Sequence, residues 1–146
     1  MAITTNAIAN SFKKELLEGK HDFTQTSGDQ FKIALYTNSA TLGKSTTSFT
    51  TDHQVSNTGQ YTSGGGKLAK GSQQTSVASS VAIVDFADRS FTGVTLTARG
   101  ALIYNTSNSN TAVAVLDFGG DKTATAGTFT IQFPAFTTSA AILRIS

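Results

Sequence analysis

The sequence contains no cysteine and no tryptophan, and it has only one proline and one methionine in 146 residues. The lack of cysteine excludes disulfides, thiolate zinc sites and a cysteine nucleophile. Charged residues make up 14% of the chain, and the net charge is only +2. The lysines and arginines are scattered and form no basic stripe. We therefore expect no nucleic acid partner. No apolar run approaches the roughly 20 residues of a membrane helix, so we expect no membrane partner either.

Serine and threonine are abundant, and together they account for roughly a quarter of the chain, well above ordinary usage. Threonine favours strands, whereas serine and the thirteen glycines favour turns. The length suits one domain with a real core, so we predict a single domain over residues 1–146. Without cysteine, its stability must come from packing and hydrogen bonds, or from oligomerisation.

The first part of the chain predicts an extended arm over residues 1–6 and an amphipathic helix over residues 7–18. Ile8, Phe12 and Leu16 recur every four residues, which is helical spacing. Thr5 or Asn6 suits the helix start, and Gly19 with Lys20 suits its end. The arm lacks the basic region and apolar core of a signal peptide, so we expect synthesis in the cytoplasm.

The rest of the chain predicts an all-β fold, an antiparallel, jelly-roll-like β-sandwich over residues 30–146. Phe31, Ile33 and Leu35 alternate with other residues, as in a half-buried strand. Gly100 indicates a bulge or a close backbone approach within a strand. Further strands are predicted over 67–77, 80–86, 91–97, 98–104, 112–118, 128–133 and 140–145, with a turn at 105–110 and a loop at 119–127.

A long polar loop over residues 38–66 separates two of these strands. Structureless connections beyond about 12–15 residues are commonly functional or disordered. Its charged residues are Lys44 and Asp52 and its one histidine is His53, which is too few such groups for a catalytic loop. We therefore predict that the loop lies on the surface of another subunit, and that it is mobile in the isolated chain.

The residues that could act in catalysis or bind a metal form no recognisable motif in the sequence. We therefore predict neither an enzyme, nor a cofactor, nor a metal site. His21 and His53 lie in polar, turn-like contexts, and neither has a carboxylate at a spacing typical of a catalytic or metal-binding motif. Such histidines are usually solvated or lie at an interface. Asp117 and Asp121 could hold Ca²⁺, but they lack the spacing of a known calcium loop, and a turn explains them better.

Four stretches carry a resemblance to a known group of proteins: residues 1–19 (MAITTNAIANSFKKELLEG), 31–37 (FKIALYT), 98–105 (ARGALIYN) and 114–119 (AVLDFG). They resemble small virion structural proteins of tailed bacteriophages, including cyanophages. The size and the β-rich pattern look most like a head decoration or cement protein. The resemblance implies synthesis in the host cytoplasm and a place on the capsid surface of the virion. The implied partners are the major capsid protein, whose subunits it would bridge, and further copies of itself.

A decoration protein of this kind would bind through apolar anchors within a large polar contact. We predict six contact residues, three in the arm and helix and three in the loop: Ile3, Ile8, Phe12, Phe49, Val55 and Tyr61. For Ile8 and Phe12 an alternative stands beside this, in which they cover the open side of the sandwich. On the contact hypothesis, deleting residues 1–10 weakens attachment and leaves the β fold intact.

Two other functions remain open. A tail or neck protein that forms a ring would share this composition. A carbohydrate-binding jelly-roll module would need an exposed aromatic platform, for which Tyr36, Tyr61 and Tyr104 are the only tyrosines.

Overall fold

The computed structural model describes residues 3–69 and 74–146, which form one helix and eight strands. The strands build two sheets, one of five strands in the order β1-β7-β6-β2-β3 and one of three in the order β4-β5-β8. The elements are β1 (Ala7–Ile8), α1 (Asn10–Leu17), β2 (Phe31–Tyr36), β3 (Gly66–Lys67), β4 (Gln74–Ala78), β5 (Val81–Asp85), β6 (Arg89–Asn105), β7 (Thr111–Ile131) and β8 (Leu143–Ile145).

The predicted all-β class is confirmed, because every strand pair is antiparallel and the helix is short. The finer prediction of a jelly-roll-like sandwich stays a prediction, as does the single domain. Part of the strand predicted over 67–77 lies outside the described residues.

The predicted helix start is wrong, because residues 7 and 8 form a strand. β1 pairs with β7, with Ala7 opposite Val115 and Ile8 opposite Ala114. The helix begins at Asn10, and neither Thr5 nor Asn6 caps it. The Asn6 side chain is used elsewhere, since its Oδ1 accepts a hydrogen bond from the Asp117 N–H at 2.6 Å.

The predicted helix end is correct. The N–H groups of Gly19 and Lys20 donate to the carbonyls of Leu16 and Glu15, at 3.2 and 2.9 Å. Gly19 has a φ of +72°, the left-handed conformation that this C-terminal cap requires. Glycine adopts it without the steric cost that a Cβ would bring.

The part of the predicted arm that the structure describes, residues 3–6, is docked against the sheet. Ile3 has no exposed surface, and its carbonyl accepts a hydrogen bond from Arg99 Nε at 3.2 Å. A Cβ on Gly100 would lie 2.7 Å from Ile3 Cδ1 and 2.4 Å from the Leu116 carbonyl oxygen, so only glycine fits there. Gly100 is thus the close approach that the sequence indicated, and Ile3 belongs to the core.

The strands predicted at 91–97 and 98–104 are one strand, β6, and the predicted loop at 119–127 is wrong. Those residues lie within β7, which pairs with β6 from Thr111 to Ile131. The register places Ala98 opposite Lys122 but Gly100 opposite Asp117. The four residues 118–121 of β7 therefore bulge out opposite the single residue between Ala98 and Gly100. Glycines that suggested a loop instead accommodate this bulge, with Gly119 at a φ of +78°.

Hydroxyl pairs hold the far half of this β6–β7 ribbon together. Thr97 and Thr123 are joined through their Oγ1 atoms at 2.9 Å, and Ser90 and Thr130 are joined at 2.8 Å. Such cross-strand pairs stabilise a sheet without apolar burial. The predicted turn at 105–110 closes the other end of the ribbon, as expected from its asparagines and serines.

The core joins the two sheets through aromatic rings. Phe23 stacks on Phe31 with centroids 4.6 Å apart, and Phe86, which follows β5, lies 5.8 Å from Phe31. Leu143 of β8 belongs to the same buried cluster. The small sheet therefore packs on the large one.

Burial of Ile3 generates a stability prediction. Ile3→Ala should lower the free energy of unfolding by about 2–5 kcal/mol, because it removes fully buried methylene groups and leaves a cavity. The matched control is Ile145→Ala, which changes the same side chain where it is 57% exposed and should cost less than about 0.5 kcal/mol. Urea unfolding followed by circular dichroism measures both, and equal losses would contradict the docked arm. For the same reason, deletion of residues 1–10 is now expected to destabilise the β fold.

Candidate functional site

The six predicted contact residues are packed within their own chain. Ile3, Phe12, Val55 and Tyr61 are buried, and Ile8 and Phe49 are partly buried against the core. Phe12 meets Phe23 edge to face at 6.0 Å, as expected for a residue that covers the core. Their contact with a partner stays a prediction, but each has a packing role in the structure.

The loop predicted at 38–66 is attached to the sheet by three tyrosine hydroxyls. Tyr36 of β2 donates to the Thr50 carbonyl at 2.7 Å, and Tyr104 of β6 donates to the Gly64 carbonyl. Tyr61 lies in the loop and accepts a hydrogen bond from the Leu35 N–H at 2.8 Å. All three rings are at most 3% exposed. These bonds explain how a polar loop can be held against its own domain.

The loop also protects strand edges. Beyond the short β3, the outer edge of β2 is satisfied by the loop, because the Val55 N–H donates to the Leu35 carbonyl at 2.9 Å. Residues 59 and 60 cover β6 in the same way, with the Gln60 N–H donating to the Thr92 carbonyl at 3.0 Å. Unpaired strand edges invite aggregation. The long loop therefore lies on the surface of its own chain, where it completes the sheet.

The two histidines have different surroundings. His53 is exposed, whereas His21 is buried, so the expectation of a solvated imidazole is wrong for His21. His21 Nε2–H donates to Glu15 at 2.7 Å, and its Nδ1 accepts a hydrogen bond from Asn105 Nδ2 at 3.0 Å. Asn105 Nδ2 also donates to Asp29 at 2.7 Å, and the Asn105 Oδ1 accepts from the Ser107 N–H.

This histidine network ties helix α1 to the turn after β6. Both nitrogens of the His21 ring are engaged, and the centroids of the His21 and Phe12 rings lie 4.7 Å apart with the rings tilted at 54°. The network satisfies the polar atoms of His21 and Asn105, which are both buried.

The carboxylates near strand ends are engaged separately. Asp117 pairs with Arg99 at 3.3 Å, and Asp121 accepts a hydrogen bond from Asn38 Nδ2 at 3.0 Å. Asp88 accepts from the Phe133 N–H, while burial raises the pKa of Asp85. No group of three or more potential metal ligands occurs among residues 3–69 and 74–146. Asp117 and Asp121 therefore lie at the bulge of β7 and not in a turn between two strands, and Asp117 forms an ion pair there with Arg99.

None of the three tyrosines offers an exposed ring on which a sugar could stack. Tyr36, Tyr61 and Tyr104 are all buried, and their hydroxyls bind main-chain groups of the same chain. A carbohydrate-binding module needs such rings at its surface. The structure therefore gives this alternative no support.

The most unusual surface feature is an open apolar groove of about 570 Å³ between helix α1 and the small sheet. Among the described residues, three large apolar side chains are exposed: Leu17 at 91%, Val77 at 72% and Ile145 at 57%. All three line this groove. Isolated exposed apolar residues are ordinary, but a cluster of them indicates an interaction site.

Strand register produces this cluster. Val77 lies opposite Ala82, and Ala82 lies opposite Ile145, so the three form one row across the small sheet. The adjacent row on the same face is Thr75, Val84 and Leu143, and its last two members pack against the core. The apolar face of the small sheet is thus covered at one row and uncovered at the next.

No family model matches this chain, and the searches of curated proteins and of solved structures found no match. Function must be inferred from the molecule itself. In the described ranges, no helix has the length and hydropathy required to cross a membrane.

Sequence reasoning did not find the apolar groove. Leu17 was visible beside the helical stripe, but Val77 and Ile145 stood in weak or terminal strand patterns. Their common row depends on a register that pairs strands more than 60 residues apart in the chain. No local signal reports such a pairing.

A larger groove of about 890 Å³ lies between β1, β7 and residues 132–134 and 140–142. Its charged lining residues are Asp117 and Lys122, and Asp117 is already paired with Arg99. It carries no comparable cluster of exposed large apolar side chains. The apolar groove is therefore the stronger candidate site.

The buried tyrosines generate a pH prediction. Burial raises the pKa of Tyr61 to about 12, and it also raises the pKa of Tyr36 and that of Tyr104. Tyrosine in an unfolded chain ionises near pH ~10, so the unfolded state loses its phenolic protons first. The contribution of the tyrosines to stability is therefore complete below about pH 10 and is lost as the pH rises through about 12.

Alkaline titration followed by tyrosinate absorbance and by far-ultraviolet circular dichroism tests this. We expect ionisation to coincide with loss of β structure and with release of the loop. The same chain in guanidinium chloride is the control, and it should ionise near pH ~10. Ionisation of the native protein at that pH with its β signal unchanged would disprove the burial of these hydroxyls.

Proposed function

We propose that this protein is a virion structural protein of a tailed bacteriophage, and specifically a head decoration or cement protein. It would bind the outer capsid lattice and bridge neighbouring subunits. Its partners would be the major capsid protein and copies of itself, its location the capsid surface, and its fold a single jelly-roll-like sandwich. It would act by binding and not by catalysis.

The observation that carries the proposal is the clustering of Leu17, Val77 and Ile145 along one groove. A protein that assembles on a lattice needs apolar anchors that are exposed before assembly and buried after it. Burying one such side chain completely yields about 1.5–3 kcal/mol. Three of them would supply a useful share of the binding free energy.

Further support comes from the resemblance of four stretches to small virion proteins and from the character of the rest of the surface. The described residues hold no metal-binding cluster, while His21 is bound to Glu15 and Asp117 is paired with Arg99. The edges of β2 and β6 are covered by the chain's own loop. A component present in many copies benefits from such protection, because unpaired edges would promote aggregation.

Substitutions in the apolar groove test this proposal. The variant Leu17→Gln, Val77→Thr, Ile145→Thr should bind at least about tenfold more weakly to capsid shells, because it removes apolar area from the contact. The shells would be assembled from the major capsid protein of the same phage without decoration protein. Cosedimentation measures the attachment, and unfolding stability should change by less than about 0.5 kcal/mol per site.

The control variant is Thr92→Ser, Thr125→Ser, which alters exposed positions on the β6–β7 ribbon and should bind as the wild type does. Wild-type protein that does not attach to the shells would disprove the decoration role. A closed ring of the isolated protein in native mass spectrometry, together with attachment to tails, would instead establish the tail or neck alternative.

A further inference from the structure

The orientation of the buried Asn105 side chain is determined by two of its neighbours. Its Oδ1 accepts a hydrogen bond from the Ser107 main-chain N–H at 2.9 Å, and an N–H group can only donate. Its Nδ2 lies 2.7 Å from a carboxylate oxygen of Asp29, and an ionised carboxylate can only accept. The amide of Asn105 therefore has one possible direction, and the same Nδ2 also faces His21.

This direction determines where the proton of the His21 ring lies. Asn105 Nδ2 is a donor 3.0 Å from His21 Nδ1, so Nδ1 must be the unprotonated, accepting nitrogen. The ring proton is then on Nε2, which donates to Glu15 at 2.7 Å. Because the His21 side chain has no exposed surface, water does not replace Asn105 at Nδ1. The hydrogen-bond network thus requires a neutral imidazole.

We propose that His21 is an acid-sensitive switch in the junction between residues 20–30 and the turn after β6. The junction is closed while the imidazole is neutral, and it loosens when the ring takes a second proton. A histidine cation carries an N–H at both ring nitrogens. The new Nδ1–H would point at Asn105 Nδ2, so that two donors would face each other at 3.0 Å.

Rotation of the Asn105 amide does not solve this conflict. It would turn Oδ1 toward the His21 cation, but it would also bring Oδ1 against the Asp29 carboxylate and Nδ2 against the Ser107 N–H. Protonation therefore removes hydrogen bonds from the junction in either orientation. A buried donor or acceptor that loses its partner is costly, because burial has already removed its water.

Two carboxylates act on the His21 ring, Glu15 of helix α1 directly and Asp29 through Asn105. Their negative charge attracts a cation, but it does not provide an acceptor at Nδ1. The unfolded chain takes up the proton without this conflict. The contribution of the closed junction to stability is therefore present above the range in which histidine titrates, and it is lost as the pH falls through that range.

The remaining neighbours of His21 do not supply the missing acceptor. The centroids of the Phe12 and Phe31 rings lie 4.7 and 6.5 Å from that of His21, and neither ring carries a lone pair. Lys20, the preceding residue, is a cation that pairs with Glu18 at 2.8 Å.

Other bonds across the junction do not depend on His21, so the loosening is local. Asn108 Nδ2 donates to the Lys20 carbonyl at 2.9 Å, and the Thr106 N–H donates to the Gln30 carbonyl at 2.9 Å. These bonds keep the two segments together in acid. We therefore expect faster opening of the junction without unfolding of the central β6–β7 pairing.

Nuclear magnetic resonance of the full chain with 15N-labelled histidine tests the proposal. At pH ~7.5, the His21 ring should carry its proton on Nε2 alone. At pH ~5.5, about one unit below the ordinary histidine value of ~6.5, the exposed His53 should be a cation. Amide hydrogen exchange at residues 20–30 and 105–108, corrected for the intrinsic effect of pH, should then be about tenfold faster than at pH ~7.5.

The second histidine provides the matched control. The variant His53→Gln should keep the full pH dependence of exchange at the junction. The variant His21→Gln should exchange faster there at pH ~7.5 and should show no further acceleration at pH ~5.5. If His21→Gln does not fold, the ring protonation and exchange of the wild type still decide the outcome.

A proton on Nδ1 of His21 at pH ~7.5 would overturn the inference. So would a His21 cation at pH ~5.5 with exchange at the junction unchanged. Acceleration that persists in full in His21→Gln would assign the effect to the carboxylates and would equally overturn it. These measurements use the isolated chain, so they are independent of the proposed capsid role.

Discussion

The antiparallel pairing of β6 with β7 is the interaction on which the rest of the molecule depends. It runs from the turn at 105–110 to the pair Arg89–Ile131 and forms the centre of the larger sheet. β2 joins one of its sides and β1 the other. The chain enters the ribbon from β5 and leaves it toward β8, so the small sheet is positioned by the far end of the same ribbon.

A ribbon of this length creates an edge problem that the other elements solve. The main-chain groups of β2 and β6 that face away from the ribbon need partners, and β3 is only two residues long. The polar loop supplies them, and tyrosine hydroxyls hold the loop in place where apolar side chains are scarce. Burial of these hydroxyls is stabilising because each has a main-chain partner. The composition thus becomes understandable, since a chain rich in serine and threonine can use hydrogen bonds to complete its sheets.

The small sheet is the element that remains incomplete. One row of its apolar face is covered by the core, and the next row is open beside the end of helix α1. An apolar surface left in this state has a free-energy cost in water, which a partner would remove.

Local pattern in the sequence determined the class of the fold, the β2 strand at Phe31–Tyr36, the turn at 105–110 and the end of the helix at Gly19. Each of these follows from alternation, turn chemistry or a glycine cap, which act over a few residues. Only the tertiary structure decided that Ala7 and Ile8 form a strand, because their partners Val115 and Ala114 are remote in the chain. The same holds for the glycines at 119 and 120, which look like a loop until β6 lies beside them. The candidate site was equally invisible, since Leu17, Val77 and Ile145 meet only through strand register and the packing of the small sheet near the helix. Pairing between distant segments leaves no periodic signal in either segment, and for this reason the sequence predicted the elements better than the surface they create.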